Sequence, residues 1–164
     1  MAFSEEIAAK ASRVLELARA RGYRLACAES CTGGLVAAAL TEIPGSSDVF
    51  AGGVVSYMLD VKENILGVSG DILYTDGIGA VSHECAEAMA EGVSKALRAD
   101  VAVSTTGIAG PGGEEPGKPV GTVWFGCASP EGVASETVLF PGSRSEVREQ
   151  AVEHALDMLC GILA

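Results

Sequence analysis

The stretch LACAESCTGGLVAAALTEI, Leu25 to Ile43, sets the frame for the rest of the chain. Its start, with Arg24 to Ala28 short, apolar and bounded by turn signals, predicts a buried strand. The run breaks on Glu29, Ser30, Cys31 and Thr32, passes Gly33 and Gly34, and resumes as small and aliphatic residues that predict a helix over roughly Leu35 to Ile43. Strand, Gly-rich turn and helix hold side chains at a helix N-terminus, where free amides and the macrodipole favour negative charge. Two uses fit: cradling a phosphate, or holding a nucleophile beside amides that form an oxyanion hole. The bend lacks the Lys of a Walker A loop and does not match G-x-S-x-G. A purely structural bend, with Ser30 or Thr32 capping the helix, is the third reading.

Working outward, Ser4 with Glu5 and Glu6 reads as a helix start, and Ile7, Ala11, Val14, Leu15 and Ala18 keep helical spacing up to Gly22. After the loop Pro44 to Phe50, Ala51 to Met58 predicts a second strand, followed by a short helix ended by Gly67. A Gly-rich, irregular segment runs to Gly79, and Ser82 then caps an amphipathic helix with Ala86, Met89, Ala90, Val93 and Leu97 on one face. Val101 to Gly110 is a third strand entering the loop GIAGPGGEEPGKPVG, too long for an ordinary connection. GTVWFGCAS and GVASETVLF, around Pro130, Glu131 and Gly132, predict an antiparallel hairpin, and Ser143 with Glu146 forms a capping box for a last helix. The expected fold is α/β: one domain over residues 1–164, a three-layer α/β/α sandwich around a mixed, mostly parallel sheet of about five to six strands. Ligands in such folds sit at the C-terminal edge of the parallel strands.

The totals exclude several function classes. The chain has 164 residues, 48% apolar and 20% charged, and no apolar run approaches the ~20 residues of a membrane helix. With acidic residues where a secretory signal carries positive charge, it reads as cytoplasmic, with no membrane partner. A net charge of -11 argues against a nucleic-acid partner. The five cysteines are scattered and complete no zinc pattern, so no metal is expected and the thiols read as small buried residues.

A serine nucleophile at the bend needs a base. His83 and His154 both fall in helical patterns, which argues against a Ser-His-Asp triad. The other route is a lysine whose pKa is lowered by burial, and only Lys62 and Lys118 lie near glycine-rich loops. Tyr57 at the end of the second strand and Lys62 just beyond it can face the same edge as Ser30. Ser30, Lys62 and Tyr57 form a chemically complete set, Lys62 taking the serine proton directly or through the phenol. Arg144 and Arg148, four apart, share a helix face suited to a phosphate or carboxylate, unless they pair with Glu146 or Glu149. Thr105, Thr106 and their Gly-rich loop offer hydroxyls and amides to a polar ligand. Cys31, a thiol at a helix start, is a weaker nucleophile candidate because it neighbours Ser30.

The blocks AESCTGG, PGSS…GGVVSY, GAVS…A..MA, TGIAGPGG…KPVGTVW and the late R...R resemble, in order, the C-terminal domain of the competence/damage-inducible protein CinA and its stand-alone relatives, among them the bacterial nicotinamide-nucleotide amidase. That resemblance implies a cytoplasmic amidohydrolase converting nicotinamide mononucleotide and water to nicotinate mononucleotide and ammonia, in pyridine nucleotide recycling for NAD synthesis. It implies a homo-oligomer with no cofactor and no metal. The alternative is a catalytically weak nucleotide-binding or regulatory domain linked to competence or damage response. The family pattern falls on Ser30, Tyr57 and Lys62 as catalytic residues. Around the substrate it places Thr106 with Gly107 and Gly110, Arg144, and less firmly Arg148. Combined with the bend, it assigns oxyanion stabilisation to amides of Cys31, Thr32, Gly33 and Gly34, with Arg148 or Lys118 assisting Arg144 at the phosphate. The sequence departs from the family pattern after Tyr57, where Met58 and Leu59 replace a frequent Ser-Asn pair, so a polar contact is expected to be missing. The N-terminal domain of full-length CinA proteins, and its pyrophosphatase activity, are not expected here.

Overall fold

A computed structural model describes residues 3–164. The elements follow as α1 (Glu5–Arg21), β1 (Leu25–Glu29), α2 (Leu35–Thr41), β2 (Phe50–Val55), α3 (Leu59–Leu66), α4 (Gly70–Leu73), α5 (His83–Leu97), β3 (Val101–Gly107), β4 (Thr122–Ser129), β5 (Gly132–Leu139) and α6 (Arg144–Leu163). The five strands form one sheet in the order β2-β1-β3-β4-β5. β1 pairs in parallel with β2 and β3, while β4 pairs antiparallel with both β3 and β5, so β4 alone runs against the rest.

Alternation along the strands divides the core into two faces. Leu25 and Cys27 of β1, Val101 and Val103 of β3, and Val123 and Phe125 of β4 pack towards α1, α2 and α6. Ala26 and Ala28 of β1 and Ala102 of β3 face the other way, against Cys85, Met89 and Val93 of α5 and Leu66 of α3. This second face is built from small residues, and α5 lies close upon it. A Cβ on Gly126 would meet the Ala86 carbonyl oxygen at 2.2 Å, and one on Gly92 would meet that of Leu66 at 2.0 Å. Ser104 Oγ donates to the Ala86 carbonyl at 2.6 Å, fixing β3 to α5.

The helix ends follow the signals in the sequence. Ser4 Oγ accepts from the Ile7 amide, Gly22 adopts φ 68° to end α1, and the Ser143–Glu146 capping box starts α6. Three boundaries are tighter than the sequence suggests. β2 stops at Val55, leaving Ser56, Tyr57 and Met58 as a loop; α2 stops at Thr41; β3 stops at Gly107. The segment read as irregular holds the single turn α4, capped by Ser69 Oγ on the Asp71 amide, too short to show a period. His154 packs 4.5 Å from the Phe125 ring and contacts Glu136, the ordinary packing role expected of it. No helix among the described residues is long and apolar enough to cross a membrane.

Candidate active site

The connection from β1 to β2 runs through α2 on one face, and the return to β3 runs through α5 on the other. The chain therefore diverges between β1 and β3, and a crevice opens at their C-terminal ends. Ser30 is the first residue past β1, its amide held by the Thr105 carbonyl at 2.9 Å. A pocket of about 230 Å³ lies above it, lined by Ser30, Cys31, Tyr57, Lys62, Thr106 and Arg144, with Gly107 and Leu59 beside them. Most of the residues singled out in the sequence therefore converge on one pocket.

Lys62 is 1% exposed and is the largest fully buried side chain of the protein's described residues. It stands with Leu66 on the core-facing stripe of α3. Its Nζ reaches Ser30 Oγ at 3.0 Å and donates to the Ser56 carbonyl oxygen. Burial lowers the Lys62 pKa below its ordinary value, only partly opposed by the Cys85 and Cys31 thiols nearby. The carbonyl fixes one N–H, so the lone pair of the neutral amine can face the serine hydroxyl.

Glu29 explains the geometry of the bend. Although 1% exposed, its carboxylate accepts from the amides of Gly34 at 2.9 Å, Val36 at 3.1 Å and Ala37 at 2.8 Å. A carboxylate already occupies the start of α2, so a phosphate cradle at this helix end is ruled out. The same contacts correct the expectation that Gly33 and Gly34 supply an oxyanion hole. The Gly34 amide belongs to Glu29, and that of Gly33 donates to the Ser30 carbonyl at 3.1 Å. The Cys31 and Thr32 amides donate to no oxygen among the described residues. The Thr32 hydroxyl is shared with that of Thr105 at 2.7 Å, locking the turn to β3.

Cys31 is an unsuitable nucleophile. Burial pushes its thiol up to about 12, against the smaller opposing influence of its own amide and that of Thr32.

The two arginines part company. Arg144 bridges the pocket mouth, donating to the Gly110 carbonyl and to the Tyr57 hydroxyl, each at 2.8 Å. Arg148 instead donates to the carbonyls of Cys31 at 3.1 Å and Thr32 at 2.9 Å. It clamps the turn from behind, which corrects its assignment to the phosphate. Neither pairs with Glu146, whose carboxylate serves Ser143. Lys118 lies outside the pocket, donating to the Ile78 carbonyl and to Glu115, so it does not assist Arg144. Tyr57, 58% exposed, has its hydroxyl on Arg144, not on Ser30 or Lys62. Thr106 Oγ1 donates to the Ala80 carbonyl at 2.6 Å, tying the pocket floor to the loop before α5. Gly107 must be a glycine: a Cβ there would meet the Thr122 carbonyl oxygen at 2.6 Å. Gly110, at φ 86°, likewise leaves no room beside Val120. Sequence reasoning missed Ser56, whose contribution is a backbone carbonyl and so leaves no residue signature. No group of three or more metal-ligating side chains occurs among the described residues.

Comparison with known proteins points to one family and one fold. The family model for the CinA C-terminal domain matches residues 7–163. A CinA-like protein of Desulfotalea psychrophila is 50% identical over 139 residues, 85% of this chain and 33% of that protein. One from Frankia casuarinae is 47% identical over 151 residues, 92% of this chain and 34% of that one. The chain thus spans about a third of the length of the curated relatives it matches. Among solved structures, the competence/damage inducible protein CihA from Agrobacterium tumefaciens superposes with a TM-score of 0.93 at 41% identity, covering 99% of this chain and 98% of that one. A CinA superfamily protein from Klebsiella pneumoniae gives 0.91 at 36% identity, covering 96% and 97%. With the family model matching nearly end to end and relatives near half identity, this chain belongs to the CinA C-terminal domain family.

Proposed function

We propose that the protein is an amidohydrolase that releases ammonia from nicotinamide mononucleotide, using Ser30 as nucleophile and Lys62 as its base. The observation that carries the reading is the buried Lys62 amine, 3.0 Å from Ser30 Oγ. Neutral Lys62 takes the hydroxyl proton as Oγ attacks the carboxamide carbon. The oxyanion forms beside the amides of Cys31 and Thr32, which at rest face the Cys31 sulfur. Protonated Lys62 then passes its proton to the leaving nitrogen, and ammonia departs. A water molecule, losing a proton to Lys62, attacks the acyl-enzyme; Ser30 leaves with that proton and the product is a carboxylate.

Tyr57 acts with Arg144 on the substrate and not as a proton relay, because its hydroxyl is held by the guanidinium. Arg144, at the mouth, is the cation for an anionic substrate group such as the 5′-phosphate. Thr106 and Gly107 shape the opposite wall. A homo-oligomer is supported by an exposed apolar run next to the pocket, with Val55, Met58, Leu59 and Ile65 each more than a third exposed.

The test is ammonia release from nicotinamide mononucleotide by the purified protein beside Ser30→Ala and Lys62→Ala. Loss in both folded variants supports the scheme. Wild-type turnover in Ser30→Ala overturns it, and binding without any wild-type turnover supports a nucleotide-binding or regulatory domain instead.

A further inference from the structure

A second, larger concavity of about 680 Å³ opens along the same sheet edge, sharing Val81 with the Ser30 pocket. Its size falls in the range of small-molecule sites. Trp124 of β4 forms its floor, with the His83 ring tilted beside it at 5.7 Å between centroids. Lys118, its side chain only 15% exposed, stands on the wall and spends two N–H groups on Ile78 and Glu115. An ammonium has a third to give. His83 turns Nδ1 towards Glu84 at 3.2 Å, and its Nε2 has no partner among the described residues. An indole face, an imidazole edge and a partly buried cation therefore look onto one space, and the reaction proposed for Ser30 uses none of them.

We propose that this cleft binds a planar heteroaromatic ring carrying an anionic group, the chemistry of a nucleotide. The ring stacks on Trp124 and the anion reaches Lys118. The source is a nucleotide bound separately from the molecule at Ser30, because nicotinamide mononucleotide carries a single ring and the proposed reaction holds that ring at Ser30. The cleft is formed whether or not Ser30 is a nucleophile, so the proposal stands apart from the amidase reading.

Trp124 is the only tryptophan, and its emission reports the cleft directly. The experiment titrates Ser30→Ala protein with adenosine 5′-monophosphate, adenosine and nicotinamide mononucleotide while following that emission. Saturable quenching by the monophosphate is expected, with adenosine binding about tenfold weaker for want of the charge-assisted contact. Lys118→Met should abolish the difference between them, and His83→Ala should weaken both. Quenching by adenosine 5′-monophosphate with unchanged ammonia release in the wild type assigns the cleft to a separate nucleotide. Quenching by nicotinamide mononucleotide that the adenine nucleotide displaces, with matching inhibition of ammonia release, places both ligands in the Ser30 pocket and overturns the proposal. The absence of saturable change up to millimolar ligand, or equal binding of adenosine and its monophosphate, overturns the proposal. Because emission and ammonia are read separately, a failed amidase assay leaves this result intact.

Discussion

Ser30 Oγ and Lys62 Nζ stand 3.0 Å apart, with the Ser56 carbonyl oxygen on the far side of the amine. The hydroxyl comes from the first residue past β1 and the amine from a core-facing position of α3.

The Lys62 pKa is depressed by burial, and in the proposed scheme its neutral form is the base. Activity should therefore rise with pH through an apparent pKa below 10.5, the ordinary lysine value. Stability follows the same sign. Between the folded pKa and 10.5 the unfolded chain binds the extra proton, so this contribution is complete above 10.5 and is lost as pH falls through the folded value. In Lys62→Met, urea midpoints measured across that range should vary less with pH than in the wild type. Identical pH dependence in both proteins would contradict the buried-amine account.

Glu29→Gln should cost about 2 kcal/mol, since the carboxylate serves three amides at the start of α2 and an amide side chain brings N–H groups against them. In a chain of this size that corresponds to a Tm drop of about 4–8 °C. Calorimetry reads the change, and a shift below about 1 °C would show that the carboxylate does not hold the helix.

The two arginines should separate kinetically. Arg144→Ala is expected to lower kcat/KM by about 10- to 100-fold, mainly through KM, by removing a charge-assisted contact at the mouth. Arg148→Ala should instead loosen the turn bearing Ser30, lowering kcat and the unfolding midpoint together. Arg148→Ala with an isolated KM effect would place it on the substrate after all.

Met58 is the N-cap of α3 and makes no side-chain capping bond. Met58→Ser should stabilise the protein by about 0.5–1 kcal/mol and reduce the exposed apolar run beside the pocket. Denaturant midpoints read the first effect and sedimentation the second. An unchanged midpoint would mean that α3 is held by its core contacts alone.

Much of this was legible in the sequence. The strand-turn-helix around Ser30, the caps at Ser4, Ser82 and Ser143, and the hairpin all rest on local chemistry, and each is present in the fold. Ser30, Tyr57, Thr106 and Arg144 reach one pocket because each lies at or near an element end, and Lys62 joins them from the core-facing stripe of α3. What the sequence did not disclose is who bonds to whom. The Gly33 and Gly34 amides were free by position alone, yet Glu29, running back under its own turn, claims the second of them. Arg144 and Arg148 share a face by spacing, but the turn at Cys31 and Thr32 lies within reach of the second only. Ser56 contributes a carbonyl, which every residue has.

The hydrogen bond from the Ser30 amide to Thr105 has a consequence for the order in which the protein becomes competent. The bend that carries Ser30 is pinned by a strand 75 residues later, and the Arg148 clamp comes from α6, later still. Closing so long an interval is slow compared with forming local helices. A nascent chain that has already made β1, α2 and α3 holds both Ser30 and Lys62, yet it lacks the strand and clamp that fix the bend. The bend at Ser30 is thereby fixed only once α6 has been made.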